Sequence, residues 1–242
     1  MRQLTCLRGI ASGLGLAGCL MLLSGPARAA DPLAPMVAPV ITVTGSLGAL
    51  APDALGTTTL PYRPTRFMDQ WNRVNHDSSH VPALRQLVDP ARNLSRTEQI
   101  SYVQAVVGQR IKWRSDATEW GHHDYWASAR ETLAHGAGDQ EDRAILKMMA
   151  LRALGVPARD LYLTIGKEKI GGPPIFVLLV RNAGRYLILD DWSGPPIPAE
   201  RRLDFTPMLS FAQGGTWIHG KRVSGPASAM AAAARTAGKS SR

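Results

Sequence analysis

Cysteine is nearly missing from this chain. Of its 242 residues only Cys6 and Cys19 carry a thiol, and both fall in the first 29 positions. That stretch reads as a secretory signal: Arg2 and Arg8 form a basic start, Ile10 to Leu23 an apolar core, and Ala27-Arg28-Ala29 a small-x-small cleavage site. Cleavage after Ala29 leaves a mature chain without any thiol. Exported proteins often brace themselves with disulfides; this one is expected to have none within its fold. The fold must then rest on its core, for which the roughly 160 residues that follow the leader suffice as one domain.

A long apolar run is missing too. Ile10 to Leu23 is short for a membrane span and is interrupted by Ser12, Gly13, Gly15 and Gly18. Leu16-Ala17-Gly18-Cys19 resembles a lipoprotein cleavage box, but apolar Leu20 to Leu23 continues past that cysteine. Soluble export to the periplasm is the expectation, with lipid anchoring through Cys19 as the alternative. Acidic residues are in deficit: the formal charge is +9, and removing Arg2, Arg8 and Arg28 with the leader takes it to +6. The basic residues are interleaved with acids rather than clustered, which argues against a nucleic-acid footprint. Attraction to an anionic envelope surface or an acidic protein partner stays open. No internal repeat is present.

What is there centres on Gly138-Asp139-Gln140-Glu141-Asp142 and the apolar helix running from Arg143 to Leu154. Gly155 supplies a left-handed stop, with Pro157 just beyond it. Asp139 reads as the N-cap, and Asp142, three residues on, as the partner in a weak capping box. Gln140 then lies on the first turn. A thiol at that point would be acidified by the helix's positive end and its free N–H groups. A glutamine amide neither ionises nor attacks. Arg143, Lys147 and Arg152 are the helix's only charges after its first turn, so it is expected to run through the core.

Taken in order, residues 30–60 read as a flexible leader in which Val40 to Thr44 is a short strand. Arg66 to Val74 reads as a helix that turns Phe67 and Trp71 inward. His76 and His80 have helical metal-ligand spacing, but Ser78, Ser79 and Pro82 make the stretch a turn with surface histidines. Ser95 with Glu98 is a capping box for a helix that buries Ile100, Val103, Val106, Val107 and Ile111. Residues 113–128 gather Trp113, Trp120, Trp126, His122 and His123, either as a loop packed by its aromatics or as one wall of a groove. Leu161 to Ile165 reads as a strand, and Ile175 to Arg181 with Arg185 to Asp190 as a hairpin through Asn182-Ala183-Gly184. Pairing Arg181 with Arg185 sets Phe176 opposite Asp190, with Ile175 diagonally beside it. Residues 203–219 read as coil or short strands, and 223–242 as a disordered basic tail, which leaves 61–222 as the domain.

A helix-borne nucleophile followed by a hairpin that sets a histidine beside an aspartate is the plan of the papain and transglutaminase fold. The blocks Trp113, Asp116, Asp124-Tyr125-Trp126, Glu131, Gly138 to Asp142, Lys147, Leu151 and Leu154-Gly155, followed by Phe176-Val177-Leu178 and Leu187 to Asp190, occur in order. Across roughly residues 66–220 the chain resembles the bacterial transglutaminase-like cysteine proteinases, which include the periplasmic LapG-type proteases that release adhesins. The resemblance implies an α+β fold in which a central helix packs on an antiparallel sheet. It also implies that the family's cysteine position holds Gln140 and its histidine position Ile175, and that only the aspartate, Asp190, is kept. Histidine accepts the thiol proton and aspartate orients the ring; Gln140 and Ile175 can do neither. The family also resembles a calcium-dependent group, and the acidic flanks Asp139 and Glu141 with adjacent Asp142 serve either calcium or the helix dipole. The implied function is a non-catalytic binder of a peptide, an adhesin segment or a regulatory membrane protein. The alternatives are a hydrolase with relocated chemistry, using Ser128 or Thr132 with His122, His123 or His135, and a structural envelope component.

Overall fold

Helix caps explain where the first half of the chain folds. The computed structural model describes residues 51–221 other than 77, 79, 170, 192 and 193. In order these form β1 (Thr58–Pro61), α1 (Thr65–Val74), α2 (Pro82–Val88), α3 (Arg96–Arg110), β2 (Lys112–Trp113), α4 (Asp116–Glu119), α5 (Ala129–His135), β3 (Ala137–Gly138), α6 (Gln140–Ala153), β4 (Leu161–Glu168), β5 (Ile175–Asn182), β6 (Arg185–Leu189), β7 (Ile197–Pro198), β8 (Phe205–Ala212) and β9 (Gly215–Gly220). The signal, the Val40 to Thr44 strand and the basic tail lie outside the described residues.

Both α3 and α5 open with complete capping boxes, Ser95 with Glu98 and Ser128 with Glu131. The proline read as a turn, Pro82, instead starts α2, where its fixed φ suits the first helical position. His76 and His80 precede it, both exposed. α6 ends as expected: Gly155 has φ +85, Val156 N–H bonds Leu151 C=O at 3.0 Å and Gly155 N–H bonds Arg152 C=O at 2.9 Å, a Schellman closure.

α6 is buried without interruption from Glu141 to Leu151. α2, α3 and α5 pack around it, and its remaining side lies on a seven-stranded antiparallel sheet of order β1-β9-β8-β4-β5-β6-β7. Strand alternation divides the sheet into two faces. Leu163, Ile165, Leu178, Val180, Leu189 and Phe211 pack with α6, while Tyr162, Val177, Leu179, Ile188 and Trp217 form a second cluster on the outer face. The expected central helix on an antiparallel sheet is therefore the observed architecture.

Three expectations need correction. The β5–β6 hairpin turns through two residues, Ala183 and Gly184, both at positive φ (49 and 77), so Asn182 faces Arg185 and Arg181 faces Tyr186. A turn with two left-handed residues matches the strands' twist and closes tighter than the assumed three-residue link. The one-residue shift puts Leu178 opposite Leu189 and leaves Val177, not Phe176, level with Asp190. Consequently Phe176 packs with the α6 side while Ile175 packs with the outer cluster. Second, residues 205–220 are a long regular hairpin rather than coil. Third, residues 58–60, read as the end of the flexible leader, pair with β9 together with Pro61 as an edge strand, so the ordered strand begins before residue 61.

Candidate functional site

The site forms where α6 begins. β2 and β3 run parallel with Trp113 beside Gly138, which brings residues 113–116 to the helix entrance. Gly138 has no substitute there, because a Cβ would lie 2.7 Å from the Asp142 Cβ. Asp142 folds back over that glycine and is fully buried; its Oδ1 accepts the Ala127 N–H at 2.6 Å. The expected Asp139–Asp142 capping box is not formed. The Asp139 side chain makes no capping hydrogen bond to the helix, and the Asp142 carboxylate bonds the 127 loop.

The acidic trio is also not the expected one. Adjacent helical positions point about 100° apart, so Glu141 and Asp142 present their carboxylates in different directions. Asp142 bonds the 127 loop, and Asp116 from the start of α4 supplies the third carboxylate of the cluster. One carboxylate oxygen from each of Asp116, Asp139 and Glu141 lies within 4.8 Å of the others. Asp116 Oδ2 accepts the Tyr125 N–H at 2.6 Å, but the buried Oδ1 atoms of Asp116 and Asp139 have no hydrogen-bond partner among the described residues. Burial, then repulsion from Asp116, pushes Asp139 up to about 6. Burial, then the Asp139 charge, pushes Glu141 up to about 10. Asp142 is raised to about 8 by burial, with Asp139 adding to it against the Ala127 bond, and Asp116 is raised, chiefly by burial. Crowded, partly unpartnered carboxylates must hold protons or share a cation. Hard oxygen donors at this spacing, two with open lone pairs, suit calcium.

Gln140 stands on the first turn. Its Oε1 accepts the Phe176 N–H at 3.4 Å, which ties the helix entrance to the start of β5. Asp190 is buried at the end of β6. Its carbonyl takes a hydrogen bond from Lys147 Nζ and one from Gln104 at 3.4 Å, and its Oδ2 accepts Arg202 Nη1 at 3.0 Å. Arg202 also bonds Glu168 at 2.6 Å and Asp204 at 3.0 Å. The Asp190 carboxylate is thus held by an arginine that sequence reading did not single out. Nothing in the local sequence around Arg202 marks it; only the fold of the 199–205 segment against β4 and β6 does. Burial, then repulsion from Arg143, pulls Lys147 down to about 8.

The relocated groups are not brought together. Ser128 caps α5, and Thr132 Oγ1 donates to Ser128 C=O at 3.1 Å. His135 Nδ1 bonds Glu119 at 2.6 Å, while His122 and His123 are exposed. A serine–histidine pair does exist elsewhere: Ser210 Oγ lies 2.7 Å from His219 Nε2, and Thr57 Oγ1 lies 2.8 Å from Nδ1. Ser210 is fully buried, and burial pulls His219 down to about 4, too weak a base to activate a hydroxyl near neutral pH. This pair pins the residues before β1 to the sheet. The tryptophans also divide: Trp126 is core, touching Phe67, Phe176 and Phe211, while Trp113 is 60 % exposed beside the helix entrance.

A buried helix that starts against an antiparallel sheet, with residues from the hairpin beside its first turn, defines the papain/transglutaminase-like α+β class. Residues 57–199 match the bacterial transglutaminase-like cysteine proteinase (BTLCP) family, and the chain belongs to it. It is similar to calcium-bound Legionella pneumophila LapG, at 27 % identity and a TM-score of 0.51 over 63 % of this chain and 86 % of that one. A second LapG structure from the same organism matches at 28 % and 0.50, covering 65 % and 80 %. The EGTA-treated form matches at 26 % and 0.51, covering 68 % and 90 %. No curated protein matches the chain.

Proposed function

We propose that this protein is an exported, non-catalytic member of the family that binds a peptide or protein of the cell envelope and holds calcium beside its binding site. One observation carries the reading: a cysteine proteinase domain matched over residues 57–199 has no cysteine anywhere in that span. At the helix start, where the chemistry requires a thiolate, stands Gln140, and its amide bonds to β5. Asp190 is paired with Arg202 and is not free to orient an imidazole. Asp116, Asp139 and Glu141 would hold the calcium, which would relieve the repulsion among them and stiffen the helix entrance. Support for calcium comes from the calcium-bound and EGTA-treated LapG structures together with the two unpartnered oxygens here. The kind of partner follows from the family resemblance: an adhesin segment or a regulatory membrane protein. Export rests on the basic, apolar and small-x-small pattern of residues 1–29, and intact mass of the envelope form tests it.

Activity is tested with quenched peptide libraries. The wild-type protein with calcium is expected to cleave none of them. Hydrolysis that survives Gln140→Ala would place chemistry elsewhere in the fold and overturn the reading.

A further inference from the structure

We infer that the groove between α1 and the β8–β9–β1 end of the sheet takes an acidic protein segment through one large apolar side chain. The inference rests on the binding reading above and gives it a surface. Leu209, Ile218 and Leu60 are successive cross-strand partners and so share one face of the sheet. Leu209 packs against the main core, but Ile218 is 41 % and Leu60 54 % exposed. Met208 joins them because β8 carries a bulge: Leu209 pairs with Ile165 and Pro207 with Gly166, which leaves Met208 as the extra residue, turned outward. Phe67 and Tyr62 form the opposite wall of a cavity of about 390 Å³. Of seven large apolar side chains exposed among the described residues, four (Leu60, Tyr62, Met208 and Ile218) gather here. Such clustering marks an interaction site more than a random surface.

The occupant follows from the edge and the charge. β1 does not invite another strand: Thr59 N–H is already bonded to Asp53 Oδ1 at 3.1 Å, and Pro61 has no N–H. A partner therefore enters by its side chains rather than by extending the sheet. Arg66 lines the groove and Arg63 lies in the chain between two other lining residues, Tyr62 and Pro64; both arginines are exposed, and no acid lines the groove. Arg66 lies over the Phe67 ring at 5.3 Å and meets Asp124 only at 3.6 Å. An apolar anchor flanked by carboxylates fits that arrangement. The chain's own residues 222–242 do not, since they carry four basic residues and no acid. The groove also touches the site: Phe67 stacks on Trp126 at 5.8 Å, Trp126 meets Phe176 at 5.4 Å, and Phe176 N–H bonds Gln140.

Fluorescence polarisation with three labelled peptides tests this on the mature full-length chain. The first is Gly-Asp-Asp-Trp-Gly-Asp-Gly, the second has lysine for each aspartate, and the third has serine for tryptophan. The first should bind at least about tenfold tighter than either control and weaken with salt. Ile218→Arg, at an exposed position, and separately Arg63→Glu with Arg66→Glu, should each remove that preference. Equal binding of all three peptides, no binding of any, or a preference untouched by both variants would overturn the groove. Cleavage of a quenched copy of the first peptide would instead overturn the non-catalytic reading and leave the groove standing if the binding pattern holds.

Discussion

Rebuilding a thiol–imidazole pair at the α6 entrance tests the site geometry most directly. Gln140→Cys, made in the chain without its first 29 residues, gives a protein with a single cysteine. A free thiol has a pKa near 8.5. The helix terminus contributes about 0.3–1 kcal/mol toward the thiolate, or about half a pH unit. Glu141, held up near 10, is neutral at pH 7 and does not oppose it, whereas Asp139, near 6, is largely ionised and does. The thiol should therefore sit between about 8 and 8.5, with at most about a tenth as thiolate at pH 7. A partner histidine must come from the side of β5 that faces α6, and in the observed register that is position 176, not 175. Gln140→Cys with Phe176→His should bring the thiol below about 7, so that more than half is thiolate and alkylation by iodoacetamide at pH 7 speeds up at least fivefold over the single variant. Gln140→Cys with Ile175→His should leave the profile of the single variant unchanged. Phe176→His also loses its edge contact with the Trp126 ring, so some loss of stability is expected. Turnover should stay poor in either double variant while Arg202 holds Asp190. The measurement is the pH dependence of the alkylation rate. A depressed thiol pKa with histidine at 175 and none with histidine at 176 would refute the register argument.

Calcium binding only the folded chain should raise stability by about 2.7 kcal/mol at a hundredfold excess over Kd. A melting curve that does not move between chelator and millimolar calcium, or that moves equally in Asp139→Asn/Glu141→Gln, would leave the trio as helix-end charges alone. His219 gives a pH signature: its folded pKa near 4 is below the ordinary 6.5. The unfolded chain therefore takes up the proton first, and the stability tied to the neutral ring is complete above about 6.5 and lost as pH falls toward 4. Comparing chemical denaturation of wild type and His219→Gln, wild type should lose about 2.5 kcal/mol more than the variant between pH 7.5 and 4.5. The comparison with the variant is needed because the raised carboxylates at α6 move the opposite way, favouring the fold as pH falls; an equal loss in both proteins would rule out the His219 contribution. Arg202→Met leaves Asp190 buried without its guanidinium partner and should cost about 3–5 kcal/mol, part of it restored by Asp190→Asn. Additive single and double effects in denaturant titrations would show that the pair is not coupled.

Much of this protein was legible in its residues because the relevant physics is local. Ser95 with Glu98 marks the start of α3, and Gly155 marks the end of α6 because only a glycine takes φ +85 without strain. The apolar run from Ala144 to Leu151 marks a buried helix, and the order of short blocks around Gly138 to Asp142 marks the family. The absence of a thiol from residues 57–199 is likewise a property of the sequence alone. Tertiary structure decided what depends on contacts between distant segments. Whether Asp142 or Asp116 joins Asp139 and Glu141 turns on the β2–β3 pairing, which sets residue 113 beside residue 138 and has no local signature. Which side of β5 meets α6 turns on a two-residue rather than a three-residue turn, and a strand's period of two converts that single step into opposite faces. Arg202 reaches Asp190 from twelve residues away only because the segment before β8 folds over the ends of β4 and β6. Short-range propensities specify caps and periods, whereas partners of buried charges are chosen by whichever opposite charge the packed chain delivers to them.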